Sequence, residues 1–305
     1  MKKHIWFIVA LVAVLAAAPH ATVIRAWSDT ADPYYLLLSR FGVAAIVILP
    51  FLLLQVKWRM LRKTWRYLAV SSLSMTTVGL LYTQAIYHSQ ASYVAILAML
   101  TPIILVLVSA RFFKEAITRR KVAGVALAMM GALVVVALPF VATQQLSNQF
   151  YPLATIMMII QSVLFVAAFI TMRKANEAGM PILGVTGITA VVGVIVLLPI
   201  WLLYGDMNKT PTDVSFIWAA IYYGVGVTVV FRAMAIKAYE YIGAMPSAAL
   251  QYVESIVAVI LPILIIGERL SVAMVVGGLM ILLGVYFVES HKNPHIKRHA
   301  AHRHH

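Results

Sequence analysis

The sequence predicts an all-α integral membrane protein with ten transmembrane helices, arranged as two inverted five-helix repeats. Three observations support this fold class. Hydrophobic residues make up 63% of the 305 residues, whereas charged residues make up only 11%. The apolar residues fall into stretches that are long enough to cross a bilayer. Landmark residues of the first half also return in the second half at a nearly constant separation.

The composition excludes a soluble globular protein, because soluble domains carry about a quarter charged residues. The chain has no Cys, which excludes disulfide bonds and thiolate metal sites. It also lacks a G-x-x-x-x-G-K-[ST] loop, an H-E-x-x-H helix and a nucleophile elbow. We therefore predict that the protein is not an enzyme and that it carries no catalytic residues, no cofactor and no resident metal.

Ten apolar stretches follow one another with short connections. Each has about 19–23 residues, and as a helix each crosses a hydrocarbon core of about 30 Å. Helices are required because lipid cannot hydrogen-bond to backbone N–H and C=O groups. The first stretch could instead be a signal peptide, but its length favours a retained span. The predicted limits are 5–24, 34–54, 67–87, 92–112, 120–140, 152–172, 182–203, 216–236, 244–266 and 271–289.

The basic residues predict the orientation of these spans. If the N-terminus is cytoplasmic, the inner segments carry 19 Lys and Arg residues and the outer segments carry only 3. The positive-inside rule then predicts a multi-pass protein of the cell inner (plasma) membrane with both termini cytoplasmic. The formal net charge of +14 is explained by an anionic inner leaflet rather than by nucleic acid. The expected partners are the lipid bilayer and a small-molecule substrate, and the protein is expected to be a monomer or homodimer.

The two halves of the chain repeat each other. Three landmarks recur at a separation of 153 residues, and an earlier block recurs at 148 or 149. Five spans per half is an odd number, so the two copies must have opposite orientations in the membrane. We predict a first repeat at 1–143 and a second at 144–290. The paired landmarks are Glu115 with Glu268, Gly124 with Gly277, Gly131 with Gly284, Arg25 with Arg173, Pro33 with Pro181 and Pro50 with Pro199.

Glycines punctuate the later helices, where small side chains let helix backbones approach closely. Close packing is the favoured interpretation, and hinges for a conformational change are the alternative. The positions are Gly124, Gly131, Gly187, Gly193, Gly277, Gly278 and Gly284.

Residues 291–305 form a His/Lys/Arg-rich tail, which we predict to be cytoplasmic and disordered or a cloning remnant. The alternative is a metal site, because His291, His295 and His299 would share one face if this tail were helical.

The repeated region also carries a family resemblance. The first copy follows A-x-Y…A…A-x-L-x-x-L-x-P…L…E-x-[IL]-[ST] and continues into a Gly-x6-Gly helix. The second copy contains IIGERLSVAMVVGGLMILLGV. This pattern resembles the EamA-type branch of the drug/metabolite transporter (DMT) superfamily. The chain departs from that branch where Glu-Pro and Trp-Gly are usual, with Glu254-Ser255 in span nine and Ala17-Ala18 in span one.

The resemblance implies a secondary active transporter that moves small organic metabolites by alternating access. Amino acids or related compounds are the first expectation for the substrate, and efflux is the expected direction. The substrate site of an inverted-repeat transporter lies near the midplane between the halves. A proton-coupled importer or a facilitator on the same fold is the alternative, and an intramembrane enzyme or lipid-handling protein is less favoured.

Glu254 and Arg232 are the sharpest candidates for the substrate or coupling site. Glu254 lies near the middle of the ninth span, where a carboxylate is costly and usually functional. It either binds substrate or a proton, or it forms a structural ion pair. Arg232 in the eighth span is the expected partner, because the depths of the two residues differ by only about 6 Å.

Arg40 lies about six residues into the second span. It serves either as an outer gate or anion contact, or as an arginine that reaches back to the interface. Other intramembrane polar and aromatic residues are suited to bind an organic solute, although packing or an aromatic belt is the alternative role. These candidates are Gln84, Gln251, Tyr252, Tyr82, His20 and His88.

Overall fold

A computed structural model of the chain describes residues 2–101, 103–104, 108, 119–141, 151–231, 233–234, 237, 241 and 244–289. Within these ranges all the regular secondary structure is helical. The helices are α1 (Lys2–Ala17), α2 (His20–Trp27), α3 (Pro33–Gln55), α4 (Trp58–Tyr87), α5 (Ala91–Ala98), α6 (Arg119–Val141), α7 (Pro152–Glu177), α8 (Ile182–Tyr204), α9 (Val214–Ile221), α10 (Ala244–Ile266) and α11 (Val272–Glu289). A π-helical segment, Tyr222–Phe231, continues α9 without a break.

Each of the ten predicted spans contains at least one of these helices. The first span is α1 followed by α2, with the break at Ala18 and Pro19, and the eighth span is α9 followed by the π-helical segment. The third span differs from the prediction, because α4 begins nine residues earlier, at Trp58. These nine residues hold five polar or charged side chains, so an apolar window could not detect that they extend the helix. The predicted tail at 291–305 and the repeat landmark Glu115 lie outside the described residues.

The lengths and surfaces of the helices are those of a membrane protein. Five described segments are long and apolar enough to cross a bilayer: His4–Trp27, Pro33–Gln55, Pro152–Glu177, Ile182–Tyr204 and Val214–Phe231. Large apolar side chains cover the outer surface. Leu54 is 83% exposed, Leu203 is 75% exposed and Leu264 is 74% exposed. Soluble proteins rarely expose apolar patches of this extent, whereas lipid solvates them readily.

The loops collect at the two ends of the bundle. Hydrogen bonds join the segments around Asp32, Ala91, Asp206 and Glu268 at one end, which we call the Glu268 end. Because each span reverses the direction of the chain, α1 begins and α11 finishes at the opposite end. Both ends of the described chain therefore lie at the same end of the bundle.

Helices α6 and α11 pack through two pairs of glycines. A Cβ added at Gly131 would lie 2.6 Å from the carbonyl oxygen of Gly277, and a Cβ added at Gly284 would lie 2.5 Å from that of Gly124. The repeat relates Gly124 to Gly277 and Gly131 to Gly284. It therefore relates the Gly131–Gly277 contact to the Gly284–Gly124 contact. A two-fold relation between the halves produces this exchange, as the inverted repeat predicts.

A second glycine interface joins α8 to α3. A Cβ added at Gly187 would lie 2.8 Å from Ile48 Cγ2, and a Cβ added at Gly193 would lie 2.6 Å from the ring of Phe41. The packing role predicted from the sequence is confirmed at these positions. It does not extend to Gly278, where a Cβ would make only ordinary contacts of 3.7 Å with Ile96.

Gly277→Ala is expected to destabilise the protein, whereas Gly278→Ala is not. The first change drives a methyl group into the carbonyl oxygen of Gly131, while the second makes only ordinary contacts with Ile96. Overpacking of this kind costs about 1–3 kcal/mol. The measurement is the melting temperature of each purified variant in detergent. Equal melting temperatures for the two variants would contradict the close approach of α6 and α11.

Candidate functional site

A cavity of about 70 Å³ lies inside the bundle, between helices from both halves of the chain. Helices α3 and α4 of the first half and α7, α8 and the π-helical segment of the second half enclose it. Its wall combines one arginine with hydroxyl groups and two flexible methionines, which can repack around different ligands. Lining residues include Arg40, Ser71, Met75, Met172, Thr186 and Thr228.

One face of α4 forms a wall of this cavity. Ser71, Met75 and Val78 recur at helical spacing and all line the cavity. The adjacent face buries Ser72 and Thr76. Ser72 Oγ lies 3.2 Å from Thr189 Oγ1 of α8, and Thr76 Oγ1 donates to the carbonyl oxygen of Ser72 at 2.8 Å. Sequence reasoning missed these hydroxyl residues, although their recurrence at intervals of three and four residues in an apolar helix was a usable signal.

Arg40 is the charged group of the cavity wall. Its Nε donates to Thr228 Oγ1 at 2.9 Å, and its Nη1 donates to the hydroxyl of Tyr223 at 2.9 Å. The guanidinium carbon also lies 4.2 Å from the centroid of the Tyr223 ring, which adds a cation–π interaction. Gly224 makes these contacts possible, because a Cβ there would lie 2.7 Å from the backbone oxygen of Arg40.

The break in the first span gathers several aromatic residues nearby. Pro19 has no N–H and interrupts the helix, which leaves backbone carbonyls without helical partners. The hydroxyl of Tyr222 donates to the carbonyl oxygen of Ala16 at 2.7 Å, and His20 Nδ1 lies 3.1 Å from that of Ala17. The His20 ring stacks on Tyr82 with 5.4 Å between centroids. Both His20 and Tyr82 are close enough to Arg40 to interact with its charge.

Glu254 lies on α10 within electrostatic range of the phenols of Tyr82 and Tyr222. In the part of the chain that the structure describes, no ion pair to Glu254 is present. Arg232, its predicted partner, is outside the described residues, so that ion pair stays a prediction. The side chains of Gln251 and Tyr252 are also outside the described part, although both residues belong to α10.

Two predicted residues, His88 and Gln84, lie away from the cavity and from the aromatic residues beside Arg40. His88 is the exposed C-cap of α4 at the Glu268 end. Gln84 is half-buried two residues beyond Tyr82, and a rotation of about 200° places it on another face of α4. Neither residue lines the cavity, and neither do Glu254, His20 or Tyr82, whereas Arg40 does.

Comparison with known proteins identifies the family. The EamA-like transporter family matches the chain at residues 4–137 and 152–290, one match for each predicted repeat. This chain belongs to the EamA-like transporter family. The predictions of a membrane transporter of the drug/metabolite transporter superfamily, and of a protein that is not an enzyme, are thereby confirmed.

The fold of this EamA protein is also found among solved structures. One crystal structure has a TM-score of 0.63 at 16% identity, covering 94% of this chain and 98% of the other. At this level of identity the likeness supports the fold alone. The search of curated proteins gave no match.

The Glu268 end of the EamA protein is held together by a buried carboxylate. Glu268 accepts hydrogen bonds from the backbone N–H groups of Ala91 and Ser92, at 2.8 and 2.9 Å, and from Ser92 Oγ at 2.6 Å. Its side chain is only 5% exposed, and Arg25 Nε lies 3.8 Å from it. The carboxylate thus caps the first turn of α5, where the helix dipole favours negative charge.

A turn at Gly267 places this carboxylate. Gly267 adopts a φ of +78°, which side chains with a Cβ rarely adopt, and it ends α10. Its N–H donates to the carbonyl oxygen of Ile263 at 3.2 Å, and the N–H of Glu268 donates to that of Pro262 at 3.3 Å. The chain reverses there and directs Glu268 onto α5. The spans that carry Arg25, Ala91 and Glu268 are therefore tied together at this end.

Asp32 ties further loops together at the same end. Its Oδ1 accepts from the N–H groups of Tyr34 and Tyr35, at 2.9 and 3.0 Å, and so caps α3. Its Oδ2 accepts from the N–H of Asp206 at 3.0 Å, and its own N–H donates to the carbonyl oxygen of Lys209 at 2.8 Å. The loop after α8 is thereby fastened to the start of α3.

Glu268→Gln is expected to lower the melting temperature, because an amide offers one acceptor oxygen where the carboxylate uses two. A buried donor at Ala91 or Ser92 then loses its partner, which costs about 1–3 kcal/mol. The matched control is Glu177→Gln. Glu177 pairs with Arg173 at 2.9 Å, but both side chains are more than half exposed, and such surface pairs contribute little.

Both variants are compared by thermal unfolding in detergent. If Glu177→Gln lowers the melting temperature as much as Glu268→Gln does, the buried cap does not stabilise the protein more than a surface ion pair.

Proposed function

We propose that this EamA protein is a secondary active transporter that moves small organic metabolites out of the cytoplasm by alternating access. The observation that carries the proposal is the cavity between helices of the two halves of the chain. In transporters built from inverted repeats, substrate binds in this position. The hydroxyls and the arginine of the wall suit a polar solute, and amino acids or related compounds are the first substrates to test.

The hydrogen-bonded loops support one feature of alternating access. A transporter of this type closes one end while the other gives access to the site. At the Glu268 end, Tyr87 donates its hydroxyl to the carbonyl oxygen of Ala31 at 2.8 Å, in addition to the links made by Glu268 and Asp32. These links join loops of both halves at this end of the bundle. Opening of the Glu268 end would have to break them.

Ser71→Leu is expected to reduce transport at least tenfold, because the larger apolar side chain occupies the cavity. The measurement is counterflow of radiolabelled amino acids in proteoliposomes, with retained folding checked by gel filtration. Thr77→Leu is the control, since Thr77 is exposed on another face of α4. Normal counterflow by a folded Ser71→Leu protein would show that the cavity is not on the transport path.

The proposed orientation places both termini in the cytoplasm and the Glu268 end outside. The 19 to 3 excess of Lys and Arg on the terminal side supports it. Because the natural chain has no Cys, single Cys residues can be introduced without removing others.

We expect Asn208→Cys to react with an impermeant maleimide in intact cells and Lys63→Cys to react only after permeabilisation. Both positions are exposed, at opposite ends of the bundle. The reverse labelling pattern would show that the protein is inserted the other way.

The alternative function, proton-coupled import or facilitated diffusion on the same fold, depends on Glu254. An intramembrane acid among phenols is suited to exchange protons, and such groups usually have a function. If Glu254 carries a proton or substrate, Glu254→Gln should be expressed normally but lose the pH dependence of transport. The test is counterflow of wild type and variant across pH. A variant with full and normally pH-dependent transport would remove Glu254 from the mechanism.

A further inference from the structure

Arg40 is a charged group without a neutralising partner in the described part of the chain. Only two of its five N–H groups have protein acceptors there, Thr228 Oγ1 and the Tyr223 hydroxyl. Both acceptors are neutral, and no carboxylate lies within ion-pair distance among the described residues. A guanidinium cannot lose its proton at physiological pH. The protein therefore keeps a positive charge at the wall of an intramembrane cavity.

A charge in this position is costly, and proteins rarely retain one without a use. Thr228 and Tyr223 orient the guanidinium, and the Tyr223 ring lies against its face. The planar group is thereby fixed while its remaining N–H groups have no acceptor among the described residues. A planar donor pair is the geometry that binds a carboxylate through two hydrogen bonds.

Ser71 provides a second, independent observation. Its hydroxyl is buried, with the residue only 1% exposed, and it has no hydrogen-bond partner among the described residues. The other hydroxyls of the cavity wall do have partners: Thr186 donates to Ile182, Thr189 to Val185 and Thr228 to Tyr223. A buried hydroxyl without a hydrogen-bond partner is destabilising. Its presence in the cavity wall therefore indicates a ligand that forms the missing hydrogen bond.

We infer that the cavity binds a small carboxylate, with the carboxylate group on Arg40 and a hydrogen bond from the ligand to Ser71. This inference rests on the proposed function and specifies its substrate class. A cavity of about 70 Å³ makes a small carboxylate the first ligand to test. An uncharged analogue of the same shape leaves the arginine unneutralised and binds more weakly.

The test compares acids with their amides, which have nearly the same shape but lack the negative charge of the carboxylate. The probes are L-alanine, L-serine and L-lactate, and their controls are L-alaninamide, L-serinamide and lactamide. Binding is measured as the rise in melting temperature of the purified wild-type protein with ligand concentration. At least one acid should raise the melting temperature with a saturable dose dependence, and its amide should not.

Two variants locate the binding site. Arg40→Gln should weaken binding of that acid at least tenfold, because a charge-assisted contact is lost. Ser71→Ala should weaken it about fivefold, the effect of one neutral hydrogen bond. Ser71→Ala removes a buried hydroxyl that has no partner among the described residues, so this variant is expected to fold even if Arg40→Gln does not. Thr77→Val is the control on the lipid-facing side of α4 and should bind like wild type.

Several results would overturn the inference: no rise with any acid, equal rises with acid and amide, or unchanged binding in both variants. Counterflow separates this failure from failure of the proposed function. If the protein exchanges uncharged solutes in proteoliposomes and ignores all the acids, it is a transporter of another substrate class. If it exchanges no solute and binds no acid, both proposals fail.

Discussion

The backbone at the helix ends and breaks of this protein must find hydrogen-bond partners inside the protein. Lipid provides none, and an unsatisfied N–H or C=O in the membrane costs several kcal/mol. This constraint explains why buried side chains reach across the sequence to distant backbone groups. Glu268 satisfies the first amides of α5, and Tyr222 satisfies the carbonyl of Ala16 beside the break at Pro19. The same hydrogen bonds join different spans. The bonds that satisfy the backbone groups therefore also determine how the spans pack.

Close contact between the halves depends on glycine. Helices in a bilayer gain little from the hydrophobic effect, and they associate where small residues permit close van der Waals packing. The exchange of the Gly131–Gly277 and Gly124–Gly284 contacts by the repeat shows that one interface serves both copies. The arrangement places α3 and α4 of one half opposite α7 and α8 of the other, and the cavity with Arg40 lies between them.

Much of the fold was predictable because its signals are local. Stretches of about 20 apolar residues predict spans. Landmark pairs that share one separation along the chain, such as Glu115 with Glu268, predict a repeat. The N-cap of α3 by Asp32, directly before Pro33, is an equally local signal that the prediction did not use. The early start of α4 was missed because its first turns are basic, and hydropathy does not detect a helix that continues beyond the hydrocarbon core.

The candidate site was predicted less well, because it depends on which face each residue presents. Arg40 was identified from its charge, because a charged residue inside a membrane span is costly and usually has a function. Ser71 was not, because a serine in an apolar helix has many possible roles and the sequence does not show whether its hydroxyl has a partner. Gln84 and His88 had the right chemistry, but neither lines the cavity.

By itself, the sequence determined the membrane environment, the ten spans, the duplication and the EamA family, because each follows from composition, length or periodicity along the chain. The tertiary structure decided which polar groups meet. The approach of Gly224 to the backbone of Arg40, and of Glu268 to the start of α5, joins residues more than 170 positions apart. Such pairings arise from how helices pack in three dimensions, and no pattern within one helix encodes them.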